Sequence, residues 1–568
     1  MKNITKIFTL LALTGMAFAS CIEETFPQTS TATAEQIGAS SSALGASVSG
    51  IPAQMCQGYL VYGGQTHETD MAYPQFMIAG TEMLGDMYPE GSNSGYDWYR
   101  NYNTFSSKYG KDSYMSYLPW RTLYMFVKSA NDVISAVNLE DESLSDEIKG
   151  LAGIAYACRA HAYYWLTALY EPAGSYYTDC AAQLNTTVPI VSDKTPSEDM
   201  KQNPRASHDA MVEFILDDLA TAEKCLANYT PASKYFPSLA VVYGLYARTY
   251  MWNAGMANKG AGKAESYAKA AEYARKAIDA SKCTPLTEAQ WLDLENGFNN
   301  INSNSSWMWG LKYSAENMGN LCNFTGWMSG EGDWGYSSLT FPSIDKSLYD
   351  KIQYSDFRKY TFLDPDRSVY PYQTCRDQAF LDAAPNYLSL KFRCLGGDWE
   401  DYSQGGAVDV PVMRVEEMYL IEAEAIGMSK GVEAGVAALK SFVNTYRDPN
   451  YQIKAGTIQD FQYAVLDQER IEFWGEGVQF PNAKRILSNI SSQVPGKYGI
   501  MQWYAGTNAP ADIFKFNCEG IKPNWNLVVP DSEISSNTAI KDADNNPDPT
   551  AVVKKADCAE GQFAPRKF

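Results

Sequence analysis

Apolar residues recur at alternating steps of three and four over long stretches of this chain, a spacing that allows little besides packed helices. Leu123, Phe126, Ala130, Val133 and Val137 follow it. So do Leu151, Ile154, Cys158, Ala162, Trp165 and Leu169, and then Val212, Ile215, Leu219, Ala222 and Leu226. Each set lines one side of a 3.6-residue helix, and such a stripe is stable only against another. The pattern returns in PSLAVVYGLYARTYMWNAG and AESYAKAAEYARKAIDAS, joined by a Gly/Lys linker. There Tyr267, Ala271, Ala274 and Ile278 form the close-packed face of a tetratricopeptide-like or a generic helical hairpin. Three further helices are expected in DVPVMRVEEMYLIEAEAIGM, GVEAGVAALKSFVNTYR and TIQDFQYAVLDQERIEFWGEG.

Between Pro285 and Pro411 the helical period fades, and Gly, Pro, Asn and Trp become dense, as in NFTGWMSGEGDWGYSS and CLGGDWEDYSQGG. A structureless loop of this length does not fit a compact domain. The stretch is therefore expected to be an irregular subdomain of short strands and ordered loops resting on the helices. The tail after Pro495 is loop-rich.

The first residues, MKNITKIFTLLALTGMAFASC, carry Lys2 and Lys6 ahead of an apolar run from Ile7 to Ala19. That run has the length of a signal-peptide core and is too short to span a bilayer. Ala19 and Ser20 precede Cys21 as small residues precede the cysteine of a lipoprotein cleavage site. On this reading residues 1–20 are a lipoprotein signal peptide and Cys21 is the lipid anchor, whose two or more acyl chains hold firmly where one does not. The alternative is an ordinary secretory signal cut before Pro27, with Phe18 standing where Leu is commoner. From Ser30 to Ser49 the chain reads as a tether entering a first helix, with Thr33 and Gln36 at capping-box spacing.

Formal net charge is -20 and the isoelectric point is near 4.7. Such a surface repels phosphate backbones, so no nucleic-acid partner is expected. Ten cysteines besides Cys21 show no CxxC spacing, and His67, His161 and His208 lie apart from any cysteine pair, so no zinc site is expected. Export permits disulfides, but the spacing and the large core favour mostly buried thiols.

Two helical motifs resemble the SusD/RagB family of outer-membrane lipoproteins. One is Pro411 followed by Arg414-x-x-Glu417-x-x-Leu420-x-x-Ala423-Glu424-Ala425, in which Arg414 and Glu417 are expected to pair at i,i+3. The other is Gln468-Glu469-Arg470-Ile471-Glu472-Phe473 with Glu476-Gly477 and then Arg485. The family usually has Arg two places after that glycine and Asp-Leu a little later; Gln479 and Asn482-Ala483 stand there instead, weakening an expected ion network. Ala157-Cys158-Arg159-Ala160, Tyr163, Leu169-Tyr170 and WNLVVPDSEISSN agree further. The resemblance implies a mainly α fold, a tetratricopeptide-like α-superhelix with an irregular loop-rich ligand-binding subdomain. It divides the chain into signal peptide (1–20), N-terminal helical region (21–284), irregular ligand-binding region (285–410), and C-terminal helices and tail (411–568). It also implies a surface-exposed lipoprotein, facing outward from the outer membrane, that captures oligosaccharides (peptides in some members) for a SusC-like TonB-dependent transporter. Glu23-Glu24 beside Cys21 resembles the signal for that outer face.

Aromatic residues make up 13% of the chain, with 39 Tyr and 13 Trp, and three polar, glycine-rich stretches concentrate them. An exposed indole or phenol stacks on the C–H face of a sugar while Asn, Asp or Arg bonds its hydroxyls. The same rings would equally serve to clamp loops onto the scaffold. With the family's use of N-terminal and irregular-region aromatics, the expected ligand contacts are Trp98, Asn101, Trp327 and Trp334, followed by Tyr336 and Trp399. A carbohydrate-active enzyme is the lesser alternative. It needs two carboxylates facing across a bond, whereas Glu417 and Glu424 read as a scaffold set with Arg414, and HExxH, GxSxG and Cys/His patterns are absent. Gly330-x-Gly332-x-x-Gly335 lacks the strand–helix context of a dinucleotide site. Asp542, Asp544 and Asn546 start like a calcium loop, but Pro547 and Val553 break it. No cofactor, metal or catalytic residue is expected.

Cys21→Ser is expected to move the protein from the membrane fraction to the soluble fraction of the native host. Mass spectrometry of the wild-type N-terminus should find an acylated cysteine, and an unmodified residue beyond it would remove the anchor.

Overall fold

The computed structural model describes residues 37–38, 40–61, 67–90, 98–99, 109–256, 260–503 and 515–551. Cys21, Asn101 and the Thr33–Gln36 box lie outside them. The architecture is mainly α, with helices that pack in sequence order and three two-stranded sheets among the described residues.

Among the described residues seven long helices build the N-terminal half: α1 (Ser41–Cys56), α2 (Pro74–Leu84), α3 (Tyr114–Ile134), α4 (Asp146–Tyr170), α5 (His208–Leu226), α6 (Leu239–Met256) and α7 (Gly260–Ser281). Their starts are set locally. Ser40, Ser113, Ser145 and Ser207 each accept a backbone N–H of the first turn, satisfying donors that have no partner inside the helix. Asp146 and Glu147 add negative charge at the positive end of α4. Helix α2 is buried on every side, which explains why it lacks an amphipathic stripe. The expected stripes of α3, α4 and α5 face inward except for Val137, which lies past the end of α3 and is half-buried, and α4 packs on α5 as α6 does on α7.

Four more helices close the scaffold: α8 (Val415–Lys430), α9 (Val432–Tyr446), α10 (Ile458–Glu472) and α11 (Gln479–Gln493). Helices α8 and α9 approach so closely that a Cβ on Gly435 would lie 2.5 Å from the Gly427 Cα, with the Phe461 ring wedged against both. Among the described residues no helix is long and apolar enough to cross a membrane.

Two of the three strand pairs join distant parts of the chain. β1 (Met87–Glu90) pairs antiparallel with β3 (Phe341–Ile344), and β5 (Gly499–Trp503) with β6 (Lys515–Glu519). β2 (Trp307–Leu311) pairs with β4 (Val410–Arg414), Leu311 opposite Val410, so the chain between them leaves and returns at one place.

Beneath that return lies a buried ion network. Arg414 binds Glu476 at 2.8 and 2.9 Å and Glu472 at 3.2 Å, and Glu416 lies 2.9 Å from it. Glu472 also receives Arg447 at 2.7 Å and Arg358 at 2.9 Å, and Lys391 donates to Glu476 at 2.6 Å. With Arg358 on Asp356 and Arg447 on Glu416, four cations face four carboxylates. Burial alone would raise the Glu472 carboxyl, but Arg447, Arg414 and Arg358 more than offset it and hold it well below the ordinary range.

The expected Arg414–Glu417 pair is not formed. Arg414 ends β4 and occupies the N-cap of α8 with extended backbone (φ -120°, ψ 152°), and its guanidinium is taken up by Glu416, Glu472 and Glu476. Glu417 instead takes a two-pronged pair from Arg248 of α6, at 2.6 Å twice, and Glu424 takes one from Arg485 of α11 at 2.6 and 2.5 Å. Asn482, at the departure from the family pattern, donates to Glu469 at 3.0 Å, whose carboxyl burial and then Glu424 push well above the ordinary range.

Lys484 of α11 fastens the two halves. Its ammonium donates to the carbonyls of Ala168 and Glu171 at 2.9 and 2.8 Å, neutralising the negative end of α4. Burial brings it down from 10.5 to about 7, with Glu171 opposing. Between pH 7 and 10 the unfolded chain therefore binds more protons, and this residue's contribution to stability rises with pH by at most about 1.4 kcal/mol per unit. The stability gap between wild type and Lys484→Met should shift in favour of wild type by about 2 kcal/mol from pH 7 to pH 9, measured by urea unfolding. A pH-independent gap would mean that the ammonium is not perturbed.

Candidate functional site

The aromatic residues of the irregular region are brought together by one turn. Asn323 caps the short helix Phe324–Met328, accepting from Gly326 N at 2.6 Å, and the chain doubles back through the turn Gly335–Ser338. Gly335 has φ +52°, and a Cβ there would lie 2.1 Å from the Leu321 carbonyl oxygen, so only glycine fits. The reversal lays the Tyr336 ring on Trp327, 3.9 Å between centroids and 13° from parallel. Tyr99 meets Trp327 edge-on at 4.9 Å.

Glu331, fully buried, ties this loop down. Its carboxylate accepts from Arg393 and the Thr374 hydroxyl, both at 2.6 Å, and from the Cys375 amide at 3.0 Å. Trp334 inserts toward Gly326 and Gly405, where any larger residue would collide with backbone.

Trp98 carries the cluster outward. It packs against the core that holds Trp327 and Tyr336, and His67 sits edge-on at 5.3 Å with Tyr114 behind, 4.3 Å from the imidazole. His67, Trp98 and Tyr114 form one wall of a cleft of about 1210 Å³. The opposite wall is the 542–550 segment, with Asn545 and Asp548, and it is held by Lys111. That residue bridges Asp542 at 2.8 Å and Asp531 at 3.0 Å, which raises its ammonium above the ordinary range through those two hydrogen bonds. Glu68 and Asp112 add carboxylates to the rim. Half-buried aromatic faces beside several hydrogen-bond acceptors suit a neutral, polyhydroxylated ligand.

The sequence-predicted residues divide into three. Trp98 and Trp399 are half-buried, and only Trp98 lines the large cleft. The Trp399 ring has the Arg376 guanidinium 4.3 Å from its centre, and its carbonyl accepts from the Asp333 amide at 2.9 Å. Trp327, Trp334 and Tyr336 are interior, 4%, 5% and 5% exposed, and stand behind Trp98 rather than at the surface. Asn101 is outside the described residues. Sequence reasoning missed His67, Tyr114, Asn545 and Asp548, which lie up to 481 positions apart (67 to 548) and share no local pattern. The calcium-like triplet is otherwise engaged: Asp542 with Lys111, Asp544 with the Lys541 amide, and Asn546 with the carbonyls of Tyr170 and Leu527. Among the described residues no three His, Cys, Asp or Glu side chains are grouped to hold a metal. Glu417 and Glu424 line no part of the cleft.

A family model described as "Starch-binding associating with outer membrane" matches residues 70–251, and the model of the SusD family matches residues 380–547. The chain belongs to the SusD/RagB family. The SusD-like protein P2 of Formosa agariphila is 24% identical to it over 450 residues, 74% of this chain and 80% of that one. A SusD-like carbohydrate binding protein from Bacteroides vulgatus superposes with a TM-score of 0.66 at 20% identity, covering 89% of this chain and 98% of the other. Surface glycan-binding protein A from Bacteroides thetaiotaomicron, solved with laminarihexaose, gives 0.59 at 16% identity, covering 87% and 97%. In this SusD family member the stretch 252–379, which holds the Trp327–Tyr336 turn, falls between the two matched regions.

Interior and peripheral rings should respond differently to truncation. Trp327→Ala is expected to cost about 3–5 kcal/mol of stability, as for a large ring removed from a core, and Trp399→Ala about 1 kcal/mol or less. Guanidinium unfolding checks both, and equal costs would contradict the division.

Proposed function

We propose that this SusD-like chain is a non-catalytic glycan-binding protein, held by the Cys21 lipid on the outer face of the outer membrane. It presents oligosaccharides to a SusC-like TonB-dependent transporter. The observation that carries the reading is the cleft walled by Trp98, His67 and Tyr114. It offers an aromatic platform, an acidic and amide rim, and an interior stack of Trp327 and Tyr336 that fixes the platform in place. The laminarihexaose complex of surface glycan-binding protein A, which shares this fold, supports the ligand class. The matched description "Starch-binding associating with outer membrane" supports both ligand class and location.

Glu68, Asp112, Asp542 and Asp548 around the cleft accept hydroxyl protons and repel carboxylated or sulfated sugars. Neutral chains are therefore preferred over anionic ones. The same carboxylates give a specific reason to keep the peptide reading of the family in view, for basic peptides. Catalysis is not part of the proposal, because the paired carboxylates noted in the sequence, Glu417 and Glu424, are each neutralised by a buried arginine.

Titration of the mature chain with maltohexaose, laminarihexaose and anionic oligosaccharides tests the reading. Trp98→Ala is expected to weaken binding of the neutral ligand at least tenfold, about 1.4 kcal/mol, with no change in fold. Tighter binding of a basic peptide than of any glycan would replace the glycan reading, and hydrolysis of any of these ligands would overturn the non-catalytic one.

A further inference from the structure

Tyr360 and Tyr370 stack face to face, 3.9 Å between centroids and 5° from parallel, and both remain half-exposed. Tyr372 braces Tyr370 edge-on at 5.8 Å. Across from the pair runs the segment Thr287–Glu295, and between them lies a groove of about 730 Å³. Its chemistry is mixed. Leu292 and Leu294 give an apolar strip, Glu288 and Glu295 are exposed carboxylates, and Gln373 is an exposed amide. Arg393 also lines it although only 3% exposed; two of its nitrogens bind Glu331 and the Gln373 carbonyl, while its buried Nε has no hydrogen-bond partner. A buried N–H without an acceptor is unfavourable, and this one lies on a side chain that lines the groove.

We propose that this groove is a second glycan-binding surface, separate from the Trp98 cleft, taking a neutral hexose chain with one ring against the Tyr360–Tyr370 pair. Its ligand class rests on the glycan reading above; its geometry does not. The tyrosine pair supplies the stacking face, Glu288 and Glu295 accept hydroxyl protons, and Gln373 and Arg393 donate. Charge excludes anionic chains here as it does at the cleft. Except for Arg393, every residue named for the groove lies within 252–379, between the two matched regions. The two sites are mechanically linked, because Glu331 bonds both Arg393 of the groove and the Thr374 hydroxyl and Cys375 amide beside it while carrying the Trp327–Tyr336 turn. A chain bound at both places gains the effective concentration of a tethered second contact.

Calorimetric titration with maltohexaose and laminarihexaose, each to 10 mM, tests this on wild type, Trp98→Ala, Tyr370→Ala, Tyr370→Phe and the Trp98→Ala/Tyr370→Ala double variant. Wild type is expected to bind two molecules of at least one probe, Tyr370→Ala one, and the double variant none. Tyr370→Phe, which keeps the ring, should behave as wild type and controls for misfolding. Polysaccharide affinity should drop at least fivefold in Tyr370→Ala. One site in wild type that Trp98→Ala abolishes overturns the groove and leaves the cleft standing. A site lost in Tyr370→Ala but intact in Trp98→Ala overturns the cleft and supports the groove. Binding of neither probe overturns both, and tetralysine bound in a Tyr370-dependent way where neither glucan binds assigns the groove to a cationic partner instead.

Discussion

Glu472 is the point on which the scaffold converges. Three guanidinium groups, Arg358, Arg414 and Arg447, reach its one carboxylate from three separate segments. Removing a carboxylate from water is expensive, and a single partner seldom compensates. Here the compensation is collective, and it works only if the irregular region, the β4–α8 junction and the α9–α10 connection all arrive together. A network of this kind adds little net stability over a well-packed apolar core. What it specifies is arrangement: any alternative packing of these helices leaves at least one buried charge alone.

The helical frame was legible in the sequence because a stripe with a period of 3.6 has one reading at these lengths. Leu123 to Val133, Leu151 to Leu169 and Val212 to Leu226 line the interior. Helix α2 was not legible, since burial on every side erases the periodicity that marks a helix. The partner of Glu417 was hidden for a different reason. Spacing proposes local pairs, whereas a two-pronged carboxylate–arginine pair is decided by which helix lies opposite, and Arg248 stands 169 positions away.

For the candidate site, composition pointed to the aromatic loops but could not tell an outward ring from an interior one. Trp98, Trp327 and Tyr336 do form one contiguous aromatic assembly, yet two of the three face inward. A ring that stacks on a sugar has to be stiff, and a half-buried indole becomes stiff when other rings fill the space behind it. Seen in sequence, both kinds are tryptophan or tyrosine in glycine-rich surroundings. The tyrosines from 349 to 387 carried a signal of their own, six of them within 39 positions (349 to 387). Spread through polar, proline-containing chain, they resembled ordinary loop residues until Tyr360 and Tyr370 were brought into register.

The antiparallel pairing of β2 with β4 has an evolutionary consequence. Because Leu311 and Val410 face each other, the entrance and exit of the intervening chain are one strand-width apart, and its length is topologically free. Extending such an excursion adds only slowly to closure entropy, so a lineage can exchange its binding loops as a cassette while the helices stay in place. The exchange is not unconditional. Arg358 and Lys391 lie inside the excursion yet neutralise Glu472 and Glu476 in the frame. Any replacement cassette has to deliver two cations to the same two carboxylates, which makes those positions the passport by which new specificity enters an old scaffold.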